Sequence, residues 1–279
     1  MATTNSHATL TDFKNWLAVR GLAGATGTDT SDDAVIENLL EAASRYVDGS
    51  RTFYPRIETR NYCVPEDDEL ILDDDLLSVV SVTDGSSTVL SSSDYHLLPV
   101  NSEPKFAIRI KDSSTAYWQT DANGSDEYVI ALNGWWGYHE RFTQRAWLSA
   151  GTLSAAITDT TTLAFSATTG HSLVAGNIVK IDSEIYNIAT TATNTITPIK
   201  RGDNGSTAAT HLISSVVYVW QPMEDIQGAV LSIVGNMYAN RSGQPSGGRV
   251  SVTAAGVVIR PEDVPPMAKK VIDHYRRIS

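Results

Sequence analysis

The sequence predicts an α+β protein: a small helical bundle with a β-meander extension, plus an inserted all-β barrel or sandwich domain. Three observations predict it. Apolar residues recur at helical spacing near both ends of the chain. From Ile57 to Tyr138 they alternate at period two between turn-formers such as Asp84-Gly85 and Asn123-Gly124. From about His139 to Gln221 the composition shifts to Thr, Ala, Ser, Gly and β-branched residues, and helical spacing disappears. These shifts place the body at 1–138 and 222–279 and the inserted β domain at 139–221.

In chain order, residues 1–8 are small and polar and are expected to be loose. A short helix follows from Leu10 to Arg20, capped by Thr9 or Thr11, using Leu10, Phe13, Trp16 and Leu17 and closed by Gly21. The stretch LAGATGTDT reads as a flexible connection. The next element organises the chain. Val35, Ile36, Leu39, Leu40, Ala43, Tyr46 and Val47 mark one helix face, with Ser31, Asp32 and Asp33 as cap and Gly49 as a left-handed stop. Phe53-Tyr54-Pro55 should fold back on that helix end. Strands are expected at Ile57–Val64, Glu69–Leu72, Leu77–Val82, Thr88–Leu90, Ala107–Ile110 and Tyr128–Leu132. In the insert, Thr161–Phe165, Asn177–Ile181, Ile185–Ile188, Thr195–Ile199 and Val216–Trp220 read as further strands. Helical spacing returns after Pro222 with Ile226, Val230, Ile233, Val234, Met237 and Tyr238. Arg249–Thr253 and Val257–Ile259 suggest a hairpin, and Glu262 to Arg277 a last helix.

At 279 residues with 42% hydrophobic content, the chain suits two folded domains. The single cysteine, Cys63, excludes an intrachain disulfide, and no Cys/His zinc pattern is present. MATTNSHATLTD lacks the basic and apolar regions of a secretory signal, and no run approaches the ~18 apolar residues of a membrane helix. On that expectation the Asn-x-Ser triplets at Asn123, Asn204 and Asn240 carry no glycosylation meaning. A net charge of −11 disfavours gripping DNA but lets it pass without sticking.

The search for chemistry is negative. There is no Gly-x-x-x-x-Gly-Lys-Ser/Thr loop, no strand-linked Gly-x-Gly-x-x-Gly and no Gly-x-Ser-x-Gly elbow. His139-Glu140 lacks the second His of a zincin and reads as a surface pair. The acidic runs Glu66-Asp67-Asp68-Glu69 and Asp73-Asp74-Asp75 do not have the spacing of an EF-hand loop and read as solvated charge at hairpin ends. Adjacent indoles on a strand point to opposite faces. Of Trp135 and Trp136, one should therefore be buried and the other lie at an edge or subunit contact, rather than both stacking on a sugar. Arg201-Gly202-Asp203 reads as a turn rather than an adhesion signal. The expectation is a protein that is not an enzyme and takes no cofactor or metal.

The order of segments LLEAASRYVDGSRTFYPRIETRNY, LLSVVSVTDGSSTVLSSSDYHLLP, YVIALNGWWGY and QPMEDIQGAVLSIVGNMYANR resembles the head–tail connector (adaptor) proteins of tailed bacteriophages. Carrying the resemblance are Ala42-Ala43-Ser44-Arg45-Tyr46-Val47-Asp48, Phe53-Tyr54-Pro55, Thr59-Arg60-Asn61-Tyr62, Gly137-Tyr138 and Pro222 to Ala229. The last two are separated here by the β-rich insert. GNIVKIDSE and RGDNGSTAATH give that insert the look of a small β module of phage structural proteins.

The resemblance implies a connector-like fold and a virion protein of the neck, assembled in the host cytoplasm. It would form a homo-oligomeric ring, most often a dodecamer. The ring would sit between the portal protein and a tail or nozzle/stopper protein, with a channel for genomic DNA and no membrane partner. On this reading Glu66, Asp67, Asp68, Glu69, Asp73, Asp74 and Asp75 are channel-facing acids that repel phosphate. Val264, Met267, Lys269, Lys270, Val271, Tyr275, Arg276 and Arg277 form a partner-docking helix. A carbohydrate- or receptor-binding virion module carried by the β insert is the alternative.

Overall fold

The computed structural model describes residues 3–19, 30–49, 51–241, 251–252, 258–259 and 264–276. Its elements in chain order are α1 (Leu10–Val19), α2 (Asp33–Val47), β1 (Arg56–Tyr62), β2 (Glu69–Thr83), β3 (Tyr95–Leu98), β4 (Lys105–Ile110), β5 (Ile130–Trp136) and α3 (Phe142–Arg145). There follow β6 (Trp147–Thr152), β7 (Phe165–Ser166), β8 (Ile178–Ile181), β9 (Glu184–Thr191), β10 (Thr195–Pro198), β11 (Val216–Trp220), α4 (Glu224–Arg241), β12 (Ser251–Val252), β13 (Val258–Ile259) and α5 (Pro266–His274). The fold is mixed α+β. The chain divides into one unit of Met1–Arg51, Leu148–Asp203 and Thr207–Ser279, and another of Thr52–Trp147 with Asn204–Ser206. These bounds differ from those expected at 138/139 and 221/222. The six-stranded sheet groups with the helices, and the meander stands as its own unit.

In the helical unit, α1 begins with a reciprocal cap. The Asp12 N–H donates to Thr9 Oγ1 (3.1 Å), and the Thr9 N–H donates to Asp12 Oδ2 (2.8 Å). Phe13 and Leu17 are its buried residues. On α2 the buried stripe is Ile36, Leu40, Ala43, Ser44 and Val47, narrower than expected, because Val35 and Tyr46 face solvent. Two end signals also differ. No side chain caps the start of α2; the Asp32 carboxylate instead accepts from the Tyr238 hydroxyl on α4 (2.8 Å). At the other end Asp48 ends the helix in right-handed geometry, and Gly49 is not left-handed. On α4 the residues Ile226, Ala229, Val230, Ile233 and Val234 are buried, whereas Met237 is exposed. A Cβ on Gly235 would lie 2.4 Å from the Trp16 ring, so the glycine admits the indole of α1 against α4.

Residues 3–9 are not loose. Thr3, Ser6, His7, Ala8 and Thr9 are buried. The His7 N–H donates to Ser44 Oγ (3.0 Å), and its ring Nε2 lies 2.9 Å from Asp48 Oδ1. The Asn5 N–H donates to Asn187 Oδ1 on β9 (2.9 Å). Small polar residues are held here by hydrogen bonds to Asp12, Ser44 and Asn187.

The six-stranded sheet runs β6-β11-β8-β9-β10-β7. Its core includes Leu153, Phe165, Val179, Ile181, Tyr186, Ile188, Ile196 and Val217. The strands do not close into a continuous barrel; a lone bridge, Leu153↔Ala167, links the segments after β6 and β7. β12 pairs antiparallel with β13, and the turn expected between them lies outside the described residues.

The second unit is a five-stranded antiparallel sheet ordered β1-β5-β2-β4-β3. Leu70, Leu72, Leu76, Val82, Ile108, Ile130, Leu132 and Trp136 lie in its core. Trp136 is fully buried and Trp135 half-buried beside Trp147, as strand alternation requires. β2 spans the two strands expected separately at Glu69–Leu72 and Leu77–Val82, and β3 was not expected. Gly137 has φ +132, and a Cβ there would lie 2.5 Å from the Tyr54 carbonyl oxygen. This close approach lets Phe53 meet the Tyr138 ring edge-on at 5.8 Å. On β1 the Ile57 N–H donates to the Asn204 carbonyl (2.8 Å), which draws the Asn204–Ser206 turn into this unit.

Candidate functional site

The two acidic runs have different surroundings. Glu66, Asp67 and Asp68 are exposed and Glu69 is half-buried, at the mouth of a cavity of about 550 Å³ that Arg109, Tyr117 and Trp118 also line. The Trp118 indole N–H donates to the Asp68 carbonyl (3.1 Å) and fixes this turn.

Asp73–Asp75 are not at a hairpin end. They lie inside β2, where its register against β4 shifts between Ile71 and Leu76. Asp75 is buried. Arg60 Nη1 and the Tyr62 hydroxyl donate to Asp73 Oδ1 (2.8 and 2.5 Å), while Arg56 Nη2 and Arg60 Nη2 donate to Asp74 Oδ2 (2.7 and 2.8 Å). The Arg60 guanidinium also lies 4.3 Å over the Trp136 ring. Burial opposes charge on Arg60, but Asp73, Asp74 and Glu58 outweigh it and hold the guanidinium above its ordinary value. Burial, then the bond to Asp73, raises the Tyr62 hydroxyl. Burial would raise Asp73, yet Tyr62 and Arg60 outweigh it and keep the carboxyl below the usual range. Asp73 and Asp74 are therefore paired in place by Arg56 and Arg60. Their partners were readable in principle, since Arg56, Glu58, Arg60 and Tyr62 fall at alternate positions on one strand face.

The helix α5 is partly committed to its own body. Ala268 is buried, and Tyr275 is buried with its hydroxyl donating to Asp225 Oδ2 of α4 (2.7 Å). Val264 and Val271 are half-buried, while Met267, Lys269, Lys270 and Arg276 are exposed; Arg277 lies outside the described residues. An open groove of about 320 Å³ runs between Trp16, Gly228, Ser232, Met267 and Val271. The sequence marks this helix by its basic residues. The groove beside it has no sequence signature.

In the six-stranded sheet, Glu184 at the start of β9 is fully buried and accepts Arg201 Nε and Nη2 (2.8 and 3.0 Å), the Gly202 N–H (2.9 Å) and the Ala209 N–H (2.8 Å). His211 Nε2 lies 3.0 Å from the same carboxylate, and its Nδ1 lies 2.7 Å from Asp182 Oδ2. Burial would raise Glu184, but Arg201, Ala209, His211 and Gly202 together lower it to about 2. Asp203 is buried and accepts from Asn187 Nδ2 (2.7 Å). Arg201 and Asp203 are thus consumed internally, and the Arg-Gly-Asp triplet offers no free ends to an adhesion receptor. This cluster clamps the loop that connects β10 to β11. His139 is buried rather than part of a surface pair, its ring Nδ1 accepting the Arg141 N–H (3.0 Å). Among the described residues, no group of three or more His, Cys, Asp or Glu side chains could hold a metal ion, and no helix is long and apolar enough to cross a membrane.

No protein-family model, curated protein or solved structure matches the chain.

Proposed function

We propose that this protein is a structural head–tail connector: a connector-like subunit of a ring, most often dodecameric, that docks on a portal and joins it to a tail or nozzle/stopper protein around a DNA channel. The observation that carries this reading is the pairing, within each unit, of segments that bear the resemblance. In the helical unit α2, with Ala42-Ala43-Ser44, packs against α4, which follows Pro222. In the sheet unit, Phe53 packs against Tyr138, and the Tyr138 N–H donates to the Thr52 carbonyl (2.7 Å). The stretch between Tyr138 and Pro222 therefore leaves these pairings in place. A net charge of −11 supports the channel role, since an acidic wall does not retain phosphate.

On this reading α5 contributes to portal docking through its exposed Lys269 and the following Arg276, while Ala268 and Tyr275 anchor it to α4. The test is negative-stain imaging of purified portal rings mixed with the protein. Decorated portals are expected with the native chain. Lys269→Glu with Arg276→Glu should bind weakly and in a salt-dependent way, with an unchanged melting temperature. Bare portals with the native chain would overturn the reading.

A further inference from the structure

Residues 207–217 and 148–158 carry no charged side chain apart from the buried His211. The two stretches meet along a short antiparallel ladder. The Ile157 N–H donates to the His211 carbonyl and the His211 N–H to the Ile157 carbonyl, both at 2.9 Å. Further along, the Ser214 N–H donates to the Leu153 carbonyl (3.0 Å) and the Leu153 N–H to the Ser215 carbonyl (2.9 Å). Between these ties lies a tight turn, closed by the Ser215 N–H on the Leu212 carbonyl (3.2 Å), with Ser214 in the left-handed region at φ +68. The turn presents Leu212 and Ile213 side by side, 78% and 60% exposed. Exposed aliphatics scattered singly are ordinary, but an adjacent pair on a turn fixed at both shoulders is not explained by packing within this fold. Because the backbone is already held, docking the pair would cost little ordering entropy.

The surroundings of the pair select a protein rather than a lipid as its occupant. A bilayer holds even a whole myristoyl chain only marginally, and two branched side chains bury less. No lysine or arginine lies in residues 207–217 to reach anionic headgroups, whereas the Asp182 carboxylate, 62% exposed, stands 2.7 Å from the ring of His211, the residue before Leu212. The matching surface is therefore an apolar pocket with a cation at its rim. Position narrows the partner. β11 follows the turn directly and leads to α4, and α5 is tied to the first turn of α4 through Tyr275 and Asp225. The five residues of β11, at about 3.3 Å each, put about 16 Å of strand between the turn and that end. We propose that the Leu212–Ile213 turn docks the tail or nozzle/stopper protein, seating both side chains in an apolar pocket with a cation facing Asp182, while α5 at the other end of β11 engages the portal. This deepens the connector reading and rests on it for the identity of the partner.

The test is biolayer interferometry of the purified tail or nozzle/stopper protein on the full chain, free and mounted on portal rings, at about 50 mM and about 500 mM salt. The native chain should bind, and less tightly at high salt. Leu212→Ser with Ile213→Ser should weaken this binding about a hundredfold or more. Both side chains face solvent, so the melting temperature and the decoration of portals should not change. Leu148→Ser, at an aliphatic 49% exposed on β6, should bind like the native chain. Asp182→Asn keeps an acceptor for His211 and should flatten the salt dependence. A native chain that binds no tail-side protein, a double variant that binds like the native one, equal weakening by Leu148→Ser, or an unaltered salt dependence in Asp182→Asn would overturn the proposal. Flotation with phosphatidylcholine vesicles that the double variant loses would assign the turn to a lipid surface and overturn it as well. Bare portals, with tail-side binding that the double variant loses, would sink the connector reading and spare this one. Decorated portals with tail-side binding indifferent to the turn would do the reverse.

Discussion

The Glu184 carboxylate shows how one buried residue can govern the pH dependence of stability. Its folded pKa of about 2 lies below the ordinary 4.5, so its stabilisation is fully present above about pH 4.5 and is lost as pH falls towards 2. The shift corresponds to roughly 3 kcal/mol. Glu184→Gln should lose about that much at pH 7, and urea midpoints measured from pH 7 to 2.5 should fall less steeply for the variant. An unchanged slope would remove Glu184 as the titrating group. Gly235 makes a steric case. Alanine there gains helix propensity but collides with Trp16, so a net loss of about 1–2 kcal/mol is expected, with recovery when Trp16→Leu is added. Thermal melts of the two variants against the native chain would check this.

At the scale of elements, α2 was legible because apolar spacing near 3.6 survives in any helix that buries one face. The stripe was read too broadly, since Val35 and Tyr46 sit at its margins, where spacing alone does not separate buried from exposed. The structure divides two residues that the sequence treats alike. Leu40→Ala should cost about 2–5 kcal/mol because Leu40 is fully buried, whereas Leu39→Ala at a half-buried position should cost under about 1 kcal/mol. Chemical denaturation of both variants decides it. β2 was less legible. Asp73-Asp74-Asp75 looks like a break, and the arginines that make it tolerable lie on β1, across β5. The candidate site divides similarly: the basic residues of α5 are visible in composition, but the burial of Tyr275 and the open space over Gly228 exist only after packing.

At the scale of the whole molecule, the exposed acids at 66–68 and the paired acids Asp73 and Asp74 have different consequences. The first group acts further, because salt bridges to Arg56 and Arg60 offset part of the field of the second. On the connector reading, Asp67→Lys with Asp68→Lys should make assembled rings retain DNA at low salt and release it as salt rises, measured by co-sedimentation. Arg60→Met should have no such effect on retention, although it leaves Asp73 and Asp74 facing each other. Unchanged retention by the Asp67/Asp68 variant would place that turn on an outer surface.

The buried segment at residues 3–9 has a consequence for the order of events during synthesis. Asn5 is held by Asn187, 182 residues later. At translation rates of about 5–20 residues per second, its partner emerges roughly 10–40 s afterwards. Until then Asn5 has only water to bond, whereas Asp12, Ser44 and Asp48, the partners of Thr9 and His7, have long since been made. The attachment to β9 therefore forms late in biogenesis. A ribosome paused between α2 and β9 would present a nascent chain whose Asn5 backbone remains open to proteases.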